Sequence, residues 1–143
     1  MSWRYVLRDR FELSAPELVS VTYAGPWLEI GHCRLVIPAG YAWDGCSPSV
    51  RLPGGTLLPG GIWIGPWDGP LTPDGRPVSW QASLVHDALC QFRPEIHGLT
   101  KEATVRLFAR MLHESGAPGW MCKLYPAAVH RLGPQEWGGL APA

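Results

Sequence analysis

The chain has 143 residues, and its content of 46% hydrophobic and 17% charged residues is typical of a globular rather than a disordered protein. Lys plus Arg and Asp plus Glu number 12 each, so no net positive charge is available to attract nucleic acid or an anionic membrane surface. The sequence shows no signal-peptide pattern and no apolar run of about 20 residues, which predicts neither export nor membrane insertion. We therefore expect a single domain over residues 1–143, with neither nucleic acid nor a membrane as its partner.

Residues 1–40 alternate apolar and polar side chains in short runs, and this period of two predicts antiparallel strands. The runs are WRYVLRD (3–9), LVSVTYAG (18–25), WLEIGH (27–32) and CRLVIPAG (33–40). Gly, Pro or Asp separates them, and AGP at 24–26 is a predicted turn. Pro38 and Gly40 should end the last of these strands.

Residues 44–79 are rich in Gly and Pro and contain one short apolar run, IWIG at 62–65. A segment of this length without regular structure is uncommon in a small domain, and it is usually functional or disordered. Two similar pentapeptides, YAWDG (41–45) and GPWDG (65–69), predict turns in which Asp accepts backbone N–H bonds. Two copies are too few for a repeat architecture.

The last third of the chain changes to helical periodicity. Helices are predicted over WQASLVHDALCQF (80–92), TKEATVRLFARMLHESG (100–116) and PGWMCKLYPAAVHRLG (118–133). Ser79 and Thr100 are the expected N-caps of the first two, and Pro126 implies a kink in the third or its division into two shorter helices. Strands followed by helices predict an α+β fold, in which an N-terminal antiparallel sheet and a long turn-rich loop pack against about three C-terminal helices.

An adjacent His-Asp pair interrupts the apolar run SLVHDALCQF (83–92). A buried carboxylate is costly unless it is paired, so Asp87 needs a partner, and the Trp-Asp-Gly loop is the best candidate. In one interpretation His86 and Asp87 form a polar clasp that ties the helix to this loop. In the other, His86 is a general base or metal ligand, oriented by a carboxylate, that faces Asp44 and Ser47 across a cleft.

The cysteines offer two further arrangements for chemistry. Cys46 or Cys90 could pair with His86 as a nucleophile, provided that the thiolate lies within hydrogen-bond reach of the imidazole. Zinc could also be bound by His86, Cys46, Cys90 and a carboxylate, although no ligand spacing in the sequence requires it. A divalent metal is thus a candidate cofactor, and its ligands are left unassigned.

Tryptophan is unusually frequent, with eight residues in the chain. Most are expected to pack in the core or in loops, with the indole N–H bonded to the backbone. Trp43 and Trp67, each beside an Asp, are the best candidates for a stacking platform that receives a sugar ring or a protein partner. Exposure of the rings would separate these two roles.

Three stretches of the chain resemble the phage and prophage family designated DUF1353: IPAGYAWDGCSPS (37–49), IWIGPWDGPLTPDGRPVSWQASLVHDALCQF (62–92) and LTKEATVRLFARML (99–112). With a tail of the type YPAAVHRLG, they span about two thirds of the chain in the family's order, and the D-G-x-S and H-D blocks are the most specific. The resemblance implies a viral or prophage origin and assigns no reaction.

The same resemblance marks as family-like Asp44, Gly45 and Ser47 in the loop and His86 and Asp87 on the helix. Two positions depart from the family pattern. Cys46 stands where relatives often have a small residue, and the helix that usually carries an Asp has Thr104 or Val105 at the aligned position.

Two classes of function follow from these residues. The first is a small globular phage or prophage-type protein with a binding or structural role, whose partner is a host or virion protein, a small molecule or a cell-wall ligand. The second is a small hydrolase, metal-dependent or not, that uses His86 with Asp44 and Asp87. Either would act in the host cytoplasm or in the virion, and the sequence assigns no oligomeric state.

Overall fold

The computed structural model describes residues 5–43, 50–52, 62–64, 70–132 and 137. Strands precede helices along this part of the chain, as the α+β prediction requires. The strands are β1 Tyr5–Val6, β2 Phe11–Ser14, β3 Tyr23–Ala24, β4 Glu29–Gly31, β5 Arg34–Ile37, β6 Ala42–Trp43, β7 Val50–Leu52 and β8 Ile62–Ile64. The helices are α1 Trp80–Phe92, α2 Lys101–Glu114 and α3 Gly119–Leu132, with short 3-10 helices at Pro16–Leu18 and Arg93–Glu95.

An antiparallel sheet of four strands, in the order β2-β5-β4-β3, forms the largest β element of the described residues. Its central hairpin joins Gly31 to Arg34 through His32 and Cys33, which both have positive φ angles of 50° and 59°. Two positive φ values are the signature of a type I′ hairpin turn, whose twist matches that of the flanking strands. The chain adopts it here without the Asn-Gly pair that such turns favour.

Two smaller strand pairs accompany this sheet. β1 pairs with β6 in the register Tyr5↔Trp43, and bonds of 2.7 Å between Leu7 and both Gly40 and Tyr41 extend the pair. β7 pairs antiparallel with β8, so the apolar run at 62–65 does contain a strand.

The N-terminal strand prediction is correct in type and partly wrong in position. Phe11–Ser14 forms a strand that was not predicted, because charged residues precede it and the run is only 4 residues long. Most of LVSVTYAG is not a strand, since Leu18 ends a 3-10 helix and pairing begins only at Tyr23. Leu18 and Val21 are instead buried as single anchors in the core. The predicted turn at 24–26 is present, and Gly25 donates to the carbonyl of Leu28 at 2.9 Å.

The three helices lie close to their predicted positions. Thr100 caps α2, and its Oγ1 accepts a bond from the Ala103 N–H at 3.1 Å. Ser79 precedes α1 as expected, but its hydroxyl does not accept a bond from the first turn of the helix. α3 continues through Pro126 as one helix, so the alternative of two shorter helices is wrong. None of the described helices is both long and apolar enough to cross a membrane.

Buried apolar side chains from the strands and helices form one contiguous core among the described residues. α2 packs between α1 and α3, and its apolar face contributes Leu107, Phe108, Met111 and Leu112. α1 is buried on most of its circumference, which is the position expected for a helix with few polar residues. The His-Asp pair of α1 therefore lies in a largely apolar environment.

Arg110 of α2 ties the helix to the N-terminal segment. Its Nε and Nη2 donate to the two carboxylate oxygens of Glu17 at 2.5 and 3.1 Å, and Nη2 also donates to the carbonyl of Ser14 at 2.8 Å. Nη1 donates to Glu114 at 3.0 Å. Burial alone would raise the pKa of Glu17, but the bond and charge of Arg110 outweigh it and lower that pKa.

Candidate functional site

Trp43 fixes strand β6 against helix α1. Its ring is 0% exposed, and its Nε1 donates to Oγ of Ser83 at 3.0 Å. Ser83 in turn donates its hydroxyl proton to the carbonyl of Trp80 at 3.1 Å. The ring centroid of Trp43 lies 5.0 Å from that of Trp80 and 5.3 Å from that of Tyr5. Each polar atom in this contact is satisfied, so the buried indole can be held without an unpaired N–H.

Asp87 is held by Tyr41, the first residue of YAWDG. The Tyr41 hydroxyl lies 2.6 Å from Oδ2 of Asp87 and 2.8 Å from the side-chain amide of Gln91. A tyrosine hydroxyl has one proton, which Tyr41 donates to the charged carboxylate, and Oε1 of Gln91 is a second acceptor beside the same hydroxyl. Burial, and then the charge of Asp87, raise the pKa of Tyr41 far above its usual range. The predicted need of Asp87 for a partner is confirmed, and within the described residues the uncharged phenol of Tyr41 is one such partner.

His86 lies on a different side of α1 from Asp87. It is 4% exposed, and its ring packs against Phe108 of α2 with centroids 5.1 Å apart. Burial lowers the pKa of His86 to about 4, so the imidazole is neutral at neutral pH. Within the described residues, His86 thus lies in the interface between α1 and α2.

Cys90 lies one turn after His86, with its sulfur 3.6 Å from both ring nitrogens. Burial raises the pKa of the Cys90 thiol to about 12, and the charge of Asp87 adds to the rise while Arg93 partly opposes it. A thiol with a raised pKa beside an imidazole with a lowered one forms a neutral pair, which is the reverse of an activated nucleophile. Cys90 packs as a small apolar side chain, and Cys33, Cys90 and Cys122 are free thiols.

Several predicted site residues lie outside the described residues: Asp44, Cys46, Ser47 and Trp67. Their proximity to His86, and the catalytic roles assigned to them, stay predictions. Within the described ranges, no group of three or more His, Cys, Asp and Glu side chains is arranged for a metal ion. Cys46 lies outside these ranges, and zinc binding by His86, Cys46, Cys90 and a carboxylate stays a prediction. Thr104 is 1% exposed, and its hydroxyl donates to the carbonyl of Thr100 at 2.9 Å, which leaves it no role at the surface.

A shallow groove of about 240 Å³ opens beside the Tyr41–Asp87 bond, and we call it the Trp27 groove. It is lined by Trp27, Gly40, Tyr41, Ala42 and Gln91. Trp27 is 42% exposed, whereas Trp43 is fully buried, so the expectation that Trp43 is a stacking platform is wrong. The sequence did contain a signal for Trp27, because it follows Gly-Pro in a predicted turn, where a large side chain has few neighbours to cover it.

Comparisons with protein-family models, curated proteins and solved structures found no match to this chain. The resemblance to the DUF1353 family stays a prediction from the sequence motifs.

Proposed function

We propose that this chain is a phage or prophage-type protein that acts by binding, and that the polar clasp of α1 is structural. It would work in the host cytoplasm or in the virion. Its partner is a host or virion protein, a small molecule or a cell-wall ligand. Among the described residues, the Trp27 groove is the best candidate for the surface that binds this partner. Two bonds support the clasp, since Tyr41 holds Asp87 and Trp43 is bonded to Ser83.

The burial of His86 is the observation that carries this proposal. A general base needs a nitrogen within hydrogen-bond reach of the proton that it removes from a substrate. His86 is 4% exposed and packs on Phe108, and within the described part of the chain it makes a polar contact with the thiol of Cys90. A neutral imidazole can be buried on a helix face at low electrostatic cost, because it carries no charge and needs only one hydrogen bond.

The alternative is a hydrolase, metal-dependent or not, in which His86 acts with Asp44 and Asp87. It requires that the imidazole reach a cleft, whereas Asp87 points to Tyr41 and His86 to Phe108. The carboxylate of Asp87 and the imidazole of His86 thus contact different neighbours, which favours the structural role.

Chemical modification of the native protein separates the two functions. Diethyl pyrocarbonate acylates accessible neutral imidazoles, and the other four histidines, His32, His97, His113 and His130, are all exposed and serve as internal controls. Peptide mass spectrometry should show that His86 reacts at least about tenfold more slowly than these four at neutral pH, and at a similar rate in urea. Equal rates in the native protein would contradict the proposal and favour the hydrolase.

A further inference from the structure

We propose that the Trp27 groove binds the ring of a neutral sugar, with the indole of Trp27 as the stacking surface and Gln91 with Tyr41 as the hydrogen-bonding edge. The inference rests on the proposed binding function and names the chemical class of the ligand. It uses the one described tryptophan that combines an exposed ring with a groove lined by polar groups.

The position of Trp27 leaves its ring available as a surface. It lies in the β3–β4 hairpin loop, and its six-membered ring approaches the backbone of Gly40 so closely that a Cβ atom there would lie 3.4 Å from Cζ3. Gly40 has a φ angle of 98°, which suits glycine and keeps this side of the ring free of a side chain. The backbone of Gly40 supports the indole, which is still 42% exposed. By contrast, the ring of Trp80 is covered by the guanidinium of Arg76, 4.2 Å from its centroid.

The hairpin is held in place relative to helix α1, so the groove exists before a ligand arrives. Tyr23 of β3 donates to Glu95 at 2.5 Å, just after α1, and its ring stacks on Phe92 with centroids 6.5 Å apart. These contacts fix the loop that carries Trp27 near Gln91 at the end of the same helix. A site that is already formed loses less conformational entropy on binding.

The polar edge of the groove has hydrogen-bond donors that sugar hydroxyls can use. Tyr41 gives its proton to Asp87, and Oε1 of Gln91 lies 2.8 Å from the same hydroxyl. The exposed Gln91 side chain therefore has the two N–H groups of its amide to offer to a ligand in the groove. Neighbouring hydroxyls of a sugar ring can accept these two bonds.

Charge and size narrow the ligand further. The five described lining residues carry no charge, which favours a neutral ligand over an anion or a cation. The groove volume of about 240 Å³ lies below the roughly 300 Å³ at which drug-sized sites begin, so it suits a single ring. A pyranose has an apolar face of C–H bonds, which packs on the electron-rich face of an indole, and a rim of hydroxyls.

Titration of the ¹⁵N-labelled full chain with N-acetylglucosamine or glucose, followed by NMR, tests the assignment. We expect millimolar affinity, with shifts of the Trp27 indole N–H and the Gln91 side-chain amide. Trp27→Ala should weaken binding at least about tenfold, and Gln91→Leu should weaken it in a protein whose NMR spectrum shows the native fold. Trp120→Ala is the matched control, because Trp120 is 49% exposed but does not line the groove, and it should bind as the parent does.

Two further measurements test the class of the ligand and the source of the sugar. Adenosine presents a flat aromatic ring, and we expect it to bind more weakly than the sugars. Co-sedimentation with purified peptidoglycan, lost in Trp27→Ala, would identify a cell-wall glycan as the source, whereas binding of the free sugars alone would identify a soluble saccharide. Binding to peptidoglycan and binding of the free sugars alone both support a sugar site.

The assignment is overturned if neither sugar shifts the Trp27 and Gln91 signals, if adenosine binds as well as the sugars, or if Gln91→Leu and Trp27→Ala both bind like the parent. The histidine modification experiment is independent of these titrations. A groove that takes no sugar in a protein with a protected His86 therefore refutes the ligand class alone, whereas a reactive His86 refutes the proposed function itself.

Discussion

The burial of His86 has a direct consequence for the pH dependence of stability. The pKa of His86 is about 4 in the folded protein, against 6.5 for an unperturbed histidine. The folded protein thus binds this proton less tightly than the unfolded chain, and acidification favours unfolding. The stabilising effect of a neutral His86 is complete above the unfolded pKa and is lost as the pH falls from 6.5 toward 4.

The size of the effect follows from the two pKa values. Each unit of difference corresponds to about 1.4 kcal/mol, and the loss between pH 7 and pH 5 amounts to about 2 kcal/mol. Replacement by glutamine, which has a similar size and does not titrate, should remove this part of the pH dependence.

Urea denaturation of the parent and of His86→Gln at pH 7 and pH 5 measures the effect. The free energy of unfolding of the parent should fall by about 2 kcal/mol more than that of the variant over this interval. The variant is expected to be less stable at pH 7, but only the change with pH tests the argument. Equal changes in the two proteins, within about 0.5 kcal/mol, would mean that His86 is solvated or charged and would refute its sealed position.

Two other contacts lead to predictions of stability. Arg110→Ala removes the fork that holds Glu17, whose side chain is only 13% exposed, so the free energy of unfolding should fall by about 2 kcal/mol at neutral pH. Arg110→Lys should recover only part of it, because lysine lacks the planar fork, and full recovery in urea denaturation would contradict this account. Ser83→Ala leaves the buried N–H of Trp43 without its acceptor and should cost about 1 to 3 kcal/mol, measured in the same way. A loss below about 0.5 kcal/mol would show that the indole finds another acceptor.

Much of the secondary structure could be predicted because its signals are local. Thr100 caps α2 through an N–H only 3 residues further along the chain. The period of the apolar residues distinguished the C-terminal helices from the N-terminal strands for the same reason. The errors arose where local preference was weak, as in the short strand Phe11–Ser14, which owes its pairing to Ile37 and its neighbours on β5.

The sequence by itself determined the α+β class, the approximate positions of the helices and the requirement that a carboxylate at Asp87 have a partner, since these depend on periodicity and on the cost of burying charge. Only the tertiary structure decided that Tyr41 is such a partner, that His86 faces Phe108, and that Trp27 rather than Trp43 has an exposed ring. Burial and side-chain pairing depend on segments far apart in the chain, as for Tyr41 and Asp87, 46 residues apart. The pattern of a single segment shows that a group must be covered, whereas packing between segments decides what covers it.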